Sequence, residues 1–257
     1  MNNYRSSFLS NIPPVVKNIL AINVVLFLAS VLLPAIFERR GINLDLNDIM
    51  GMHYFAAQKF NPAQMITYMF MHASFSHLFF NMFAVFMFGG ILERLWGPRK
   101  FMFFYLISGL GAAIVQQVFW YFELHTVVSA LNTAISSGTF EGLRPYFSGD
   151  ISAMTISEVL NQKKEFLNMP VTIGASGSVF GLLLAFGWLF PEERLFLMFI
   201  PVPIKARWFV LGYAVVELFL GVAQFSGDSI AHFAHLGGML FGALLILYWK
   251  RKGKLYR

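Results

Sequence analysis

Apolar residues in this chain are gathered into long blocks instead of alternating with polar ones. Six blocks stand out, at about 15–37, 64–92, 100–122, 171–190, 206–225 and 229–249. A bilayer core of about 30 Å takes about 20 apolar residues per helix. Backbone polar groups in lipid must be satisfied internally, which helices achieve. The pattern predicts an all-α polytopic membrane protein, six transmembrane helices in a single domain over residues 1–257. The first block is longer than the apolar core of a secretory signal, and no clean small-x-small cleavage site follows it, so it reads as a retained helix.

The stretches between the blocks are polar. Residues 38–63 form an outside loop, and "ERLWGPRK", 93–100, a tight turn on the inner side. A long insert, about 123–169, is too polar to span. Its second half is expected to form an amphipathic helix on the membrane or protein surface, with Asp150 as N-cap and Ile151, Met154, Val159, Leu160, Phe166 and Leu167 sharing an apolar face. "PEERLFLMFIPVPIK" is a short inner connection and "SGDS" an outer one; no internal repeat of the transporter kind is visible.

Composition agrees: 57% of residues are hydrophobic and 12% charged, against about 25% charged in soluble domains. The net charge of +6 could suggest nucleic acid in a soluble protein. Here the basic residues sit at the ends of the blocks, so no nucleic-acid partner is expected and the bilayer is. With the N-terminus inside, 13 Lys and Arg fall on inner segments and 6 on outer ones, as the positive-inside rule requires. Both termini are then cytosolic, and Tyr248 and Trp249 fall where an aromatic belt is expected. The absence of cysteine excludes disulfides and thiol catalysis.

Polar side chains at membrane depth are costly and mark functional sites. They are His72, His77, Asn81, Gln116, Gln117, Ser176, Glu217, His232 and His235. At about 1.5 Å per residue, Ser176 and His235 both lie about 22 Å from the inner ends of their blocks. His77 and Asn81 lie about 24 and 18 Å from theirs. One layer therefore collects a serine, two histidines and an asparagine.

Each feature has two readings. His77 and Asn81, four apart on one face, are either helix-helix hydrogen-bonders or donors to a developing oxyanion. In "GASGSVFG", Gly177 and Gly181 suit close helix approach, and Ser176 either bonds a backbone carbonyl or acts as a nucleophile in a first helical turn, where free N–H groups favour an anion. In "AHFAHLGGMLFG", Gly238 and Gly242 form a close-packing stripe beside His235, a structural hydrogen-bonder or a base for Ser176. No Asp partner for His235 stands out, so a Ser-His dyad is the economical arrangement. Glu217 reads as a hydrogen-bonder or part of a water path; Gln116, Gln117 and His232 read as structure or hydration.

Together these stretches resemble the rhomboid family of intramembrane serine proteases. The matching residues are His77 and Asn81; Gly174, Ala175, Ser176 and Gly177; Ala234, His235, Gly238 and Gly242; and Gly89, Glu93 and Gly97, with His72 at a buried structural position. The resemblance implies a six-helix rhomboid-like bundle, Ser176 as nucleophile and His235 as general base. His77, Asn81 and the Ser176 N–H would stabilise the oxyanion, and Phe180 would stack on His235 where Tyr is frequent. Ala63-Gln64 stands where a Trp-Arg pair is common, and the 123–169 insert exceeds that of compact members. The implied substrates are single-pass transmembrane proteins cut near the outer face after a small residue, with no cofactor and no metal, and with the fifth helix as the mobile wall. The implied location is a prokaryotic cytoplasmic membrane, as no organellar presequence is apparent. The competing readings are a protease-inactive relative that binds or dislocates membrane proteins, and a small transporter.

Overall fold

The computed structural model describes residues 11–147, 151, 154–197, 200–223 and 230–256. Helix α1 (Pro14–Glu38) starts on a proline, whose missing N–H is no loss in a first turn. The next two donors, Val15 N–H and Val16 N–H, are accepted by the buried Glu93 carboxylate at 2.9 and 2.8 Å. An acid in the inner turn thus caps a helix that starts 79 positions earlier (93 less 14). Glu93→Ala strands both N–H groups and is expected to cost on the order of 3 kcal/mol, read as a lower unfolding midpoint in detergent.

A short helix α2 (Leu46–Met50), strand β1 (Met52–His53) and helix α3 (Gln64–Thr67) fold the outer loop. Gln64 accepts from His53 and Asn61 N–H and donates to the Ile49 and Lys59 carbonyls. The Ala63-Gln64 position therefore organises the loop from within. The second block does not run as one helix from 64. After α3 and a 3₁₀ turn (Tyr68–Phe70) the chain extends, and the membrane helix begins at Phe75 as α4 (Phe75–Ala84). Ser74 causes the break, because its side chain accepts the His77 N–H at 3.1 Å and so caps a new start. A π turn (Val85–Gly89) leads into α5 (Gly90–Trp96), giving one apolar span from Phe75 to Trp96. Gly97, at φ 77°, makes the turn into α6.

Helix α6 (Pro98–Ser137) is 40 residues long and does not stop near 122. At about 60 Å it is twice a bilayer core, so much of the expected insert is its projecting continuation. A 3₁₀ turn (Glu141–Leu143) and α7 (Ile156–Asn168) fold back on it. Leu131, Ala134, Leu143 and Val159 form a core with Met154 and Phe166 packed alongside. The amphipathic helix therefore rests on protein, and of its expected apolar face only Leu160 is exposed. Its N-cap is Thr155 in a capping box with Glu158; Asp150 lies outside the described residues.

The fourth block also starts later than expected. Val171–Thr172 form β2, antiparallel to β1 with Met52 opposite Thr172 and His53 opposite Val171. Helix α8 (Ser176–Leu189) has only 14 residues, about 21 Å. It falls short of the bilayer because protein surrounds it, with nearly every residue from Gly177 to Gly187 buried. A hairpin of β3 (Arg194–Leu197) and β4 (Ile200–Lys205) follows, then α9 (Ala206–Ala223) and α10 (His232–Arg251). The outer "SGDS" connection lies outside the described residues. Of the expected belt pair, Tyr248 is exposed, whereas Trp249 is buried against Trp96 and Phe104.

Among the described residues, α1, the α4–α5 span, α6, α9 and α10 are long and apolar enough to cross a membrane. With the short α8 at their centre, they make an integral multi-pass helical bundle. The expected six helices are thus five spanning ones and a shorter enclosed one. Glycines set the spacing around α8. A Cβ on Gly238 would lie 1.8 Å from the Gly177 carbonyl oxygen, and one on Gly181 2.4 Å from Ser108 Oγ. By contrast, α9 buries only Ala206, Val210, Glu217 and Gly221.

Candidate active site

Ser176 is the first residue of α8, placed by the β1–β2 pairing before it and by Gly174. Gly174 has φ 129° and donates its N–H to the Tyr68 carbonyl at 2.9 Å. Both its conformation and its surroundings demand glycine. A Cβ there would lie 2.7 Å from His77 Nε2 and 3.7 Å from Ser176 Oγ. His77 therefore faces the same small space as the serine hydroxyl. The N–H groups of a first helical turn lack partners within the helix, so the Ser176 N–H is free for a ligand atom.

His235 lies in the first turn of α10, brought close by the glycine contacts between α10 and α8. Its Nε2 is 2.8 Å from Ser176 Oγ. Phe180, one turn along α8, stacks on the imidazole with centroids 4.2 Å apart and planes 8° from parallel. Tyr213 of α9 stacks on the far face of Phe180 at 5.1 Å. Ser176 is half-buried and His235 buried. A half-buried hydroxyl facing an imidazole nitrogen whose plane is fixed by an aromatic ring is the geometry of nucleophile and base.

Asn81 is buried one turn below His77, and its amide donates to the His77 carbonyl at 3.0 Å, leaving a second N–H uncommitted. His72 packs edge-on against His77, centroids 4.9 Å apart, and fixes the side from which that ring enters the site. Ser176, His235 and His77, picked out from the sequence, therefore converge, with Phe180, Gly174, Gly177 and Gly238 around them; Asn81 follows one turn along α4 from His77, and Gly242 packs on Gly181 a turn further along.

One expectation is overturned. His235 does have a carboxylate partner: Glu217 Oε2 lies 2.9 Å from His235 Nδ1 and 2.6 Å from His232 Nδ1. Glu217, expected as a hydrogen-bonder or part of a water path, is a hydrogen-bonder to both histidines, and its sequence signal is an acid in the middle of an apolar helix. Gln117, read as structure or hydration, anchors the outer loop by accepting from Phe55 N–H and donating to the His53 carbonyl.

The rhomboid domain model matches residues 59–252. The chain is 30% identical over 143 residues to the mitochondrial rhomboid protein 1 of Saccharomyces cerevisiae, covering 54% of this chain and 40% of that protein. It is 26% identical over 189 residues to the mitochondrial RHOMBOID-like protein 12 of Arabidopsis thaliana, covering 73% and 45%. It is 30% identical over 102 residues to the rhomboid protease AarA of Providencia stuartii, covering 40% and 35%. The matches span less than half the length of each of these relatives. A domain match over three quarters of the chain, with Ser176, His235 and His77 meeting at the head of α8, puts this chain in the rhomboid family.

Proposed function

We propose that the protein is an intramembrane serine endopeptidase acting on transmembrane-helix substrates. The observation that carries this reading is the 2.8 Å contact between Ser176 Oγ and His235 Nε2 at the head of a helix enclosed in a membrane bundle. The name of one relative, a rhomboid protease, agrees with it.

Ser176 Oγ attacks the peptide carbonyl while His235 Nε2 takes its proton. The proton then passes to the leaving amine, and water releases the acyl-enzyme in a second pass through the same residues. The carbonyl oxygen gains negative charge within reach of the Ser176 N–H, His77 and the uncommitted Asn81 N–H, a donor set that stabilises it where water is scarce. A helical substrate keeps its carbonyls hydrogen-bonded, so the cut requires local unwinding and favours sites with helix-breaking residues. Single-pass substrates are the simplest to deliver. The thinly packed α9, facing lipid along most of its length, is the wall they displace. The charge distribution supports both termini on the cytosolic side and the site toward the outer one. Relatives from mitochondria and from a bacterium fit either membrane system, and we retain the prokaryotic plasma membrane as the reading to test.

The test is turnover of a fluorescent single-span substrate in detergent by His77→Ala and Asn81→Ala. Each is expected to lower kcat by roughly 10²–10³-fold, the loss typical of one oxyanion donor. Wild-type kcat in both variants would remove the proposed oxyanion site.

A further inference from the structure

Glu217 is the one charged side chain among the residues that α9 buries. Its Oε2 lies 2.6 Å from His232 Nδ1 and 2.9 Å from His235 Nδ1. A carboxylate only accepts, so each ring presents an N–H at Nδ1. For His235 this has a consequence at the other end of the ring. With its hydrogen on Nδ1, the neutral imidazole has a bare Nε2, and that atom faces Ser176 Oγ at 2.8 Å. The opposite tautomer would aim a lone pair at the carboxylate and a hydrogen at the serine. The 2.6 and 2.9 Å spacings are those of shared protons. A tetrahedral zinc, about 2.0–2.1 Å from each ligand, would hold its ligand atoms roughly 3.3 Å apart.

We propose that Glu217, steadied by His232, is a positioning residue that fixes the base-competent tautomer of His235 and stabilises the imidazolium formed when Ser176 attacks. The proposal rests on the Ser176–His235 reading above and turns that pair into a relay of three. Phe180 stacking sets the plane of the ring, which still allows a flip about its long axis. The carboxylate removes that freedom. The same contact joins α9 to α10, so displacement of α9 separates the base from its partner.

Among the described residues, the ionisable groups facing His235 are few. Helix α9 supplies Glu217 and, beyond Phe180, Tyr213; α10 supplies His232; α4 supplies His77 across Gly174. Helix α8 offers Ser176 and Phe180, and α6 presents Ala112, Val115 and Phe119 to α10, none of them ionisable at neutral pH. Among the described residues, Glu217 is the one carboxylate that contacts His235.

The experiment measures kcat and KM of the full chain in detergent on a fluorescent single-span substrate between about pH 5 and 9. It compares wild type, Glu217→Gln, Glu217→Asp and Ser176→Ala. Glu217→Gln is expected to lower kcat roughly 10²–10⁴-fold with KM little changed, by analogy with removal of a triad acid. Its pH profile should differ from that of the wild type, and Glu217→Asp should recover part of kcat. Wild-type kcat and an unchanged pH profile in Glu217→Gln, with Ser176→Ala inactive, would overturn the proposal and leave the protease reading standing. Activity in Ser176→Ala would overturn both. Nitrogen-15 histidine NMR of the wild type needs no variant to fold: His235 is expected with hydrogen on Nδ1 and a bare Nε2, and the reverse tautomer overturns the proposal.

Discussion

Ser176→Ala and His235→Ala are each expected to lower kcat/KM on a transmembrane substrate by roughly 10⁵–10⁶-fold, the scale seen when a nucleophile or base is removed from a coupled unit. The two losses should not add, because the Oγ–Nε2 contact is useful only when both ends are present. The double variant should be no worse than either single one. Ser176→Ala should leave the fold undisturbed, whereas His235→Ala also strips the buried Glu217 of a partner and should lower the unfolding midpoint. Ser176 is half-buried and makes its side-chain contact to His235, while the glycines that set the α8–α10 distance stay in place. Progress curves with purified protein, beside an unfolding profile for each variant, check both halves. Equal cutting by wild type and variants would remove Ser176 and His235 from the roles proposed for them.

Gly238→Ala is expected to have the largest effect on stability. Its new methyl would lie 1.8 Å from the Gly177 carbonyl oxygen and 2.7 Å from its carbonyl carbon. Those are backbone atoms of α8, so no side chain can swing away and the two helices must part. Overpacking typically costs 1–3 kcal/mol, and this backbone clash falls at about 3 kcal/mol or above. Separation would also draw His235, on the preceding turn of α10, away from Ser176. The variant should lose activity together with stability. Gly212→Ala is the matched control, since nothing lies within 4 Å of its added Cβ. Its unfolding midpoint and its activity are both expected to stay at wild-type level.

The residues proposed to bear the chemistry could be read from the chain because membrane depth is one-dimensional. Counting along each block was enough to bring Ser176, His77, Asn81 and His235 to one layer. The partner of Glu217 was not legible, because its contact with His235 depends on rotation about a helix axis and on which helix lies next to it. Their separation of 18 positions along the chain carries no such information. Block ends misled for a similar reason. Apolar content runs on through Ser74, yet its hydroxyl restarts the helix by accepting the His77 N–H. It runs through Val171 and Thr172 too, but the remote Met52 and His53 draw these into a strand pair. The outer half of α6 looked like loop because its apolar residues, Leu131 and Ala134 among them, are spaced for a single face, and that face is covered by α7.

The most direct measurement treats purified wild type and Ser176→Ala, each reconstituted with a single-span substrate, with a fluorophosphonate, and maps adducts and cut sites by mass spectrometry. The account predicts an adduct on Ser176, a cut inside the substrate's span near its outer end, and neither in the variant. Folded wild type that neither cuts nor takes the label would contradict it, as would cleavage that survives loss of the Ser176 hydroxyl.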